Sequence, residues 1–97
     1  MVAVNDQYCV DISESDTTDF FTAGIDCVAQ TKRMCSWGEW YGACTLGTTL
    51  GLLNINDNWE WTGDAANEDN GVRIVGASCS SSGTWSVFNA PQAYRCC

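Results

Sequence analysis

The sequence predicts a small α+β domain that is held together by disulfide bonds, and three observations support this. Helix signals are confined to the first half of the chain, short β-like stretches dominate the second half, and seven cysteines occur among 97 residues. Helices followed by strands are typical of the α+β class. We therefore expect one domain over residues 1–97, with two helices and a small, mostly antiparallel sheet with long loops.

The first helix is predicted over residues 16–30. Asp16 is a residue type that caps helix N-termini, and Asp19 follows it at the spacing of a capping box. Apolar side chains then recur at helical spacing and form one stripe. The stripe consists of Phe20, Phe21, Ile25 and Val28.

The second helix is predicted to begin after Ser36. Ser36 and Glu39 have the S-x-x-E spacing of a capping box, in which each side chain bonds the backbone N–H of the other residue. This helix should end before Gly47. The chain from there to Asn58 is rich in Gly, Thr and Asn, and this composition predicts a long loop.

The strands are predicted from short stretches of alternating or β-branched residues. One precedes the first helix and four follow the second, separated by polar loops that contain glycine. They are Gln7–Ile12, Trp59–Thr62, Val72–Val75, Trp85–Phe88 and Ala93–Cys97.

Charge and hydropathy exclude two classes of partner. The formal net charge is −8, and such a surface without a Lys/Arg cluster repels phosphate backbones, so we expect no nucleic-acid binding. No apolar run approaches the length needed to cross a bilayer, so we expect no membrane insertion.

The cysteines predict disulfides rather than zinc. The chain has no histidine and no Cys-x-x-Cys pair, so the ligand spacing of a zinc site is missing. Disulfides persist outside the reducing cytosol, and the expected location is therefore extracellular or on a virion.

Helix geometry limits how these cysteines pair. Cys35 and Cys44 bracket the second helix and should lie about 12–14 Å apart, too far for a bridge. Adjacent strand residues point in opposite directions, so Cys96 and Cys97 should have different partners. Because seven is odd, at least one thiol is free or pairs between chains.

Four segments, in this order, resemble the C-type lectin fold, specifically its formylglycine-generating-enzyme-like branch. They match a helix motif, a Trp-Glu-Trp strand, a Gly-rich turn and the final strand of that branch. The segments are Ser36-Trp37-Gly38-Glu39-Trp40, Trp59-Glu60-Trp61-Thr62, Val75-Gly76-Ala77-Ser78 and Tyr94-Arg95-Cys96. The resemblance implies that Cys27 pairs with one of the two terminal cysteines and Cys79 with the other.

The chain departs from the enzymes of that branch at the Gly-rich turn. Cys79 stands where tryptophan is usual, and no second cysteine appears before Cys96. The catalytic residues therefore do not carry over, and Cys79 has no histidine as a base. We expect no enzyme activity.

Two strands carry the residues expected to be structural. Trp59 and Trp61 lie on one face of a strand, and Glu60 points to the other. Large aromatic residues at this spacing are usually part of the core. The cation expected to pair with Glu60 is Arg95, on the last strand.

Oxygen donors in the central loops suggest a possible calcium site. Calcium takes six to eight such ligands, but no EF-hand spacing is present. Two interpretations remain open, a calcium site and a solvated acidic loop. The candidate ligands are Asn56, Asp57, Asn58 and Asp64.

The candidate ligand-binding surface comprises residues 54–70 and 80–86, which are expected to be exposed loops. An aromatic ring beside carboxylates and amides could stack on a sugar or serve as a hot spot for a protein. The residues concerned are Trp85, Asp64, Asn67, Glu68, Asp69 and Asn70.

Three functions are compatible with these patterns. Small proteins that resemble this branch include phage receptor-binding and tail-fibre modules. The preferred hypothesis is therefore a non-catalytic binding or display module on a phage virion, present in several copies, that recognises a glycan or protein on the host surface. The alternatives are a structural virion or filament subunit that contacts other subunits, and a degenerate formylglycine-generating-type enzyme.

Overall fold

A computed structural model describes most of the chain. The described residues are 1–55, 58–65, 70–74, 79 and 82–97. The elements are β1 (Val2–Val4), β2 (Tyr8–Val10), β3 (Ser15–Thr18), α1 (Phe20–Ala29), α2 (Trp37–Thr45), α3 (Gly47–Leu50), β4 (Glu60–Ala65), β5 (Asn70–Ile74), β6 (Ser82–Val87) and β7 (Gln92–Tyr94). The α+β class is confirmed. None of the helices in the described ranges is long and apolar enough to span a bilayer.

The strands form two sheets. β1 and β2 make an antiparallel hairpin, and the other five strands form a sheet in the order β3-β7-β4-β5-β6. All neighbours in this sheet are antiparallel except β4 and β7, which run parallel. The last strand therefore lies inside the sheet, between β3 and β4, and carries the C-terminus into the core.

The first helix begins later than predicted. α1 starts at Phe20, and Asp19 is its N-cap, since the Thr22 N–H donates to Asp19 Oδ1 at 2.7 Å. Asp16 is not the cap, because Ser15–Thr18 is strand β3 and pairs with β7. Pairing with a distant strand thus overrides the local capping signal at Asp16.

The second helix begins as predicted. Ser36 Oγ accepts from the Glu39 N–H at 3.2 Å, and Glu39 Oε1 accepts from the Ser36 N–H at 2.8 Å, which completes the capping box. The segment after it was predicted as loop throughout, but residues Gly47–Leu50 form the short helix α3. It ends at Gly51, whose φ of +73° favours glycine.

Three disulfides cross-link the fold: Cys27–Cys96, Cys35–Cys97 and Cys44–Cys79. Cys27 pairs with a terminal cysteine as the resemblance implied, and Cys35 and Cys44 are not joined to each other. The expectation that Cys79 pairs with the other terminal cysteine was wrong. Cys9 is the free, exposed thiol.

The backbone explains why Cys97 pairs with Cys35. Met34 forms an antiparallel bridge with Cys96, and Arg33 and Cys97 exchange two backbone hydrogen bonds of 3.0 and 2.6 Å. This short pairing places Cys35 beside the C-terminus, with 5.0 Å between the two Cα atoms. The sequence carries no local signal for it.

The core has two parts. One contains Val4, Val10, Cys35, Trp40 and Ala43, and packs the β1–β2 hairpin against α2. The other contains Ala23, Cys27, Trp61, Tyr94 and Cys96, and packs α1 against the large sheet. The adjacent cysteines at the C-terminus are therefore bonded one to each part.

Candidate functional site

Among the described residues, the outward side of α1 exposes three large apolar side chains. Phe21, Ile25 and Val28 are 60%, 70% and 69% exposed, and we call these three residues the α1 face. An apolar stripe on a helix ordinarily packs on the core. Here the buried side of α1 is formed instead by Ala23 and Cys27.

Small residues explain why α1 is oriented in this way. Ala23 and Cys27 lie one turn apart and allow the helix to approach the sheet closely, and the bond from Cys27 to Cys96 fixes that side against the core. The larger apolar residues consequently point away from the sheet. The helical spacing predicts the stripe but not its exposure. The small residues Ala23 and Cys27 on the opposite side of the helix were the signal that this other side could pack on the sheet.

The α1 face borders a shallow apolar groove. Its volume is about 380 Å³. It is lined by Phe20, Phe21, Gly24, Ile25, Val28 and Met34. Apart from backbone groups, every lining residue is apolar, so the groove suits an apolar side chain.

An aromatic cluster supports the N-terminal end of this face. The ring of Phe88 lies 4.8 Å from Phe20 and 5.0 Å from Phe21, measured between centroids. Phe20 also contacts the buried Trp61, at 5.5 Å. The cluster continues to Val87, which is 51% exposed. The apolar surface therefore extends from α1 onto the end of β6.

Carboxylates border this apolar surface on one side. Asp19 shares an open cavity of about 830 Å³ with Phe21, Val87 and Phe88. Hydrogen bonds from the Thr22 backbone and then its hydroxyl lower the pKa of Asp19 below its usual range, so it is ionised at neutral pH.

Asp26 extends the acidic border along α1. Its Oδ2 accepts from the Tyr94 hydroxyl at 2.5 Å and from Gln30 Nε2 at 2.9 Å. Burial, and then the bond to Asp26, raises the pKa of Tyr94. Asp16 lies on the same side, in a cavity of about 540 Å³ that Asp26 and Tyr94 also line. We call Asp16, Asp19 and Asp26 the acidic border.

The cations whose side chains are described form ion pairs elsewhere. Lys32 Nζ lies 2.8 Å from Asp11, Arg33 forms a two-pronged contact with Glu39, and Arg95 Nε lies 3.1 Å from Glu60 Oε1. Within the described part of the chain, no cation forms an ion pair with the acidic border. The described cations therefore leave this group of carboxylates without a neutralising partner.

Arg95 and Glu60 form the pair that the sequence suggested, and both are fully buried. Arg95 also donates to the carbonyl oxygens of Asp11 at 3.0 Å, of Ile12 at 2.7 Å and of Leu53. It therefore joins β7, β4 and two loops, and its role is structural. Burial raises the pKa of Glu60 to about 7, although Arg95 opposes that shift.

The two tryptophans around Glu60 have different environments. Trp61 is fully buried, and its Nε1 donates to the Thr18 carbonyl oxygen at 2.9 Å, whereas Trp59 is half-buried. Glu60 and Trp61 point to opposite faces of β4, yet both are buried. This is because both faces of the strand are covered. Trp61 packs with α1 on one face, and on the other Glu60 is covered by Arg95 and the loops that Arg95 bonds.

The candidate calcium ligands are not brought together where the structure describes them. Asn58 precedes β4, and its Nδ2 donates to Glu14 Oε1 at 2.9 Å. Asp64 lies near the other end of β4 and accepts from the Trp37 N–H at the start of α2, at 2.6 Å. Asn56 and Asp57 lie outside the described residues. In the described ranges no group of three or more His, Cys, Asp or Glu residues is arranged to hold a metal.

The candidate ligand-binding loops are partly strands. Residues 60–65 belong to β4 and residues 82–87 to β6. The strands predicted over Trp59–Thr62 and Trp85–Phe88 are therefore present in part, and the loops within 54–70 and 80–86 are shorter than expected. Asn70 begins β5 and pairs with Val87, and Trp85 is opposite Val72. Asn67, Glu68, Asp69 and the side chain of Trp85 lie outside what the structure describes.

No family model, curated protein or solved structure matches this chain. The lectin-like relation accordingly remains a prediction from the sequence. The features of the described residues that bear on function are the α1 face, its acidic border and the disulfide-bonded frame that carries them.

Proposed function

We propose that this chain is a non-catalytic binding module, extracellular or displayed on a virion, that contacts a protein partner through the α1 face. The observation that carries the proposal is the exposure of Phe21, Ile25 and Val28 side by side on one helix. Contiguous exposed apolar surface on a small soluble domain is characteristic of interaction sites.

The chemistry of this surface favours a protein over a glycan. A sugar needs hydrogen-bonding groups for its hydroxyls, whereas the groove beside the α1 face is lined by aromatic and aliphatic side chains. Buried apolar anchors of this kind supply most of the binding energy at protein interfaces. The aromatic support from Phe88 makes Phe21 the strongest candidate for such an anchor.

The support of α1 also suits binding. The helix is capped by Asp19 at its start and bonded to the last residues of the chain through Cys27. A rigid surface loses little conformational entropy when a partner docks. Display in several copies on a virion, which the lectin-like resemblance suggests, would add avidity of about 10²–10⁴ to a weak single contact.

Attachment of protein-coated beads to a panel of bacterial cells tests this proposal. Ile25→Asp should reduce attachment about tenfold or more, since it places a charge in the apolar contact. Leu53→Asp is the matched control, because Leu53 is also apolar and 55% exposed but lies outside the α1 face. Its attachment should equal that of the wild type.

Treatment of the cells separates a protein target from a glycan target. Protease treatment should abolish attachment, and periodate oxidation of glycans should leave it intact. Attachment that survives protease, or that is equal in the Ile25→Asp and wild-type proteins, would contradict the proposal. Failure to attach to any cell of the panel would contradict the proposal that the partner lies on the surface of a host cell.

A further inference from the structure

We infer that the partner docks a cationic apolar segment, with two or more apolar side chains on the α1 face and Lys or Arg side chains against the acidic border. This inference rests on the proposed function and adds the chemistry of the partner. Its basis is the juxtaposition of an exposed apolar helix face with carboxylates that pair with no described cation.

The two kinds of surface share one cavity. Asp19 lines it together with Phe21, Val87 and Phe88. A side chain with an apolar stem and a cationic end, such as Lys or Arg, could pack its stem on Phe21 and place its charge beside Asp19. An aliphatic neighbour in the same segment would then fill the groove beside Ile25 and Val28.

The dimensions of the face set the length of the segment. Phe21 and Val28 are seven residues apart on the helix, which corresponds to about 10 Å along its axis. One short helix or extended segment spans that distance. Asp19 and Asp26 are also seven residues apart in the sequence, so two cations on one segment could reach both.

Charge excludes the main alternatives to such a partner. The chain carries 4 basic and 12 acidic residues, a net charge of 4 − 12 = −8. A second copy would bring the same negative charge to the contact, and an isologous pair would place two acidic borders near one interface. An anionic lipid surface or a nucleic acid would be repelled for the same reason. A basic protein segment would be attracted and steered toward the site.

Selection from a random peptide library provides an unbiased test. Peptides would be selected on the wild-type protein and depleted on the Ile25→Ser variant, which removes the apolar contact without adding a carboxylate that a cationic peptide could bind. The expected survivors combine apolar residues at helical or alternating spacing with at least two Lys or Arg residues. Their affinity for Ile25→Ser should be at least about tenfold lower than that for the wild type.

Charge variants test the acidic border directly. The double variant Asp19→Asn with Asp26→Asn should weaken the selected peptides several-fold. Asparagine retains both the helix cap and an acceptor for Tyr94, so the fold is preserved. Asp6→Asn is the matched control, since Asp6 is an exposed carboxylate in the β1–β2 turn. It should leave the affinity unchanged.

Ionic strength gives an independent readout. Raising it from about 0.1 to about 1 M shortens the Debye length from about 10 to about 3 Å, which should weaken peptide binding to the wild type. Binding to the double Asn variant should respond less. Equal salt dependence in the two proteins would overturn the inference.

The remaining outcomes separate this inference from the proposed function. Survivors that need Ile25 but lack basic residues would overturn the cationic partner and leave the protein-binding surface standing. A library that yields no Ile25-dependent peptide would count against both. Two further results would overturn the inference. A wild-type dimer that becomes monomeric in Ile25→Asp would mean that a second copy covers the α1 face. Ile25-dependent binding to vesicles of anionic phospholipid would mean that a lipid surface covers it.

Discussion

At the scale of single residues, the Glu60–Arg95 pair shows how this small domain uses buried charge. Arg95 has no exposed surface, and it satisfies three backbone carbonyls as well as Glu60. Two of those carbonyls belong to the segment after β2 and one to the segment after α3. A single side chain therefore holds both segments against β4.

The raised pKa of Glu60 predicts a pH effect on stability. Burial raises this pKa in the folded state to about 7 from an ordinary value of 4.5. A carboxyl group with a raised folded-state pKa contributes stability that is fully present below its unfolded pKa. That contribution is lost as pH rises through the folded pKa. The stability contributed by Glu60 should therefore decrease between about pH 4.5 and 7.

Urea unfolding of the wild type and Glu60→Gln at about pH 5 and about pH 8 measures this effect. Glutamine does not titrate, so the difference in unfolding free energy should shift in favour of the variant as pH rises. The comparison isolates Glu60 from the other carboxylates, which both proteins share. An unchanged difference between the two pH values would show that Glu60 is ionised throughout.

At the scale of helices and strands, the starts of α1 and α2 are determined in different ways. A local capping interaction determines the start of α2, and pairing with a distant strand determines the start of α1. The Ser36–Glu39 box is a local interaction, and its spacing alone predicted the start of α2. The start of α1 could not be predicted in the same way. Ser15–Thr18 is held as a strand by β7, more than seventy residues away, and this leaves Asp19 rather than Asp16 at the helix start.

The observed cap predicts a difference between two neighbouring aspartates. Asp19→Ala should lower the free energy of unfolding by about 1 kcal/mol, because the Thr22 N–H loses its acceptor. Asp16→Ala is the matched control and should change stability by less than about 0.5 kcal/mol. Thermal or urea unfolding gives both values. A larger loss of stability for Asp16→Ala than for Asp19→Ala would indicate that Asp16 is the N-cap of the helix.

The same contrast between local and distant interactions applies to the candidate site. Periodicity alone identified Phe21, Ile25 and Val28 as one stripe, since helical spacing is a local property. Which side of α1 faces the sheet depends on the bond between Cys27 and Cys96, which joins residues 69 apart. The exposure of the stripe was therefore not predictable from periodicity.

At the scale of the whole molecule, the C-terminus closes the fold. β7 lies between β3 and β4, and the two residues at the end of the chain bond to cysteines in the two parts of the core. A 97-residue chain buries a smaller fraction of its surface than larger domains do, so cross-links add stability that the core alone supplies less readily. The net charge of −8 is also a property of the whole molecule. Because it is negative, the other charges of the chain do not offset the negative charge of the acidic border.

The disulfides predict which cross-link supports the α1 face. Removing Cys27–Cys96 or Cys44–Cys79 with paired serine substitutions should cost about 4 kcal/mol in each case, because they close loops of 69 and 35 residues. Only the first removal frees α1 from the sheet. Hydrogen exchange under native conditions should therefore accelerate at the α1 amides when Cys27–Cys96 is absent, and remain close to the wild type when Cys44–Cys79 is absent. A Cys79–Cys97 link in the wild type would contradict the disulfide pairing itself. Equal protection of the α1 amides in the two variants would mean that packing of Ala23 and Phe20 holds the helix on the sheet without the Cys27–Cys96 bond.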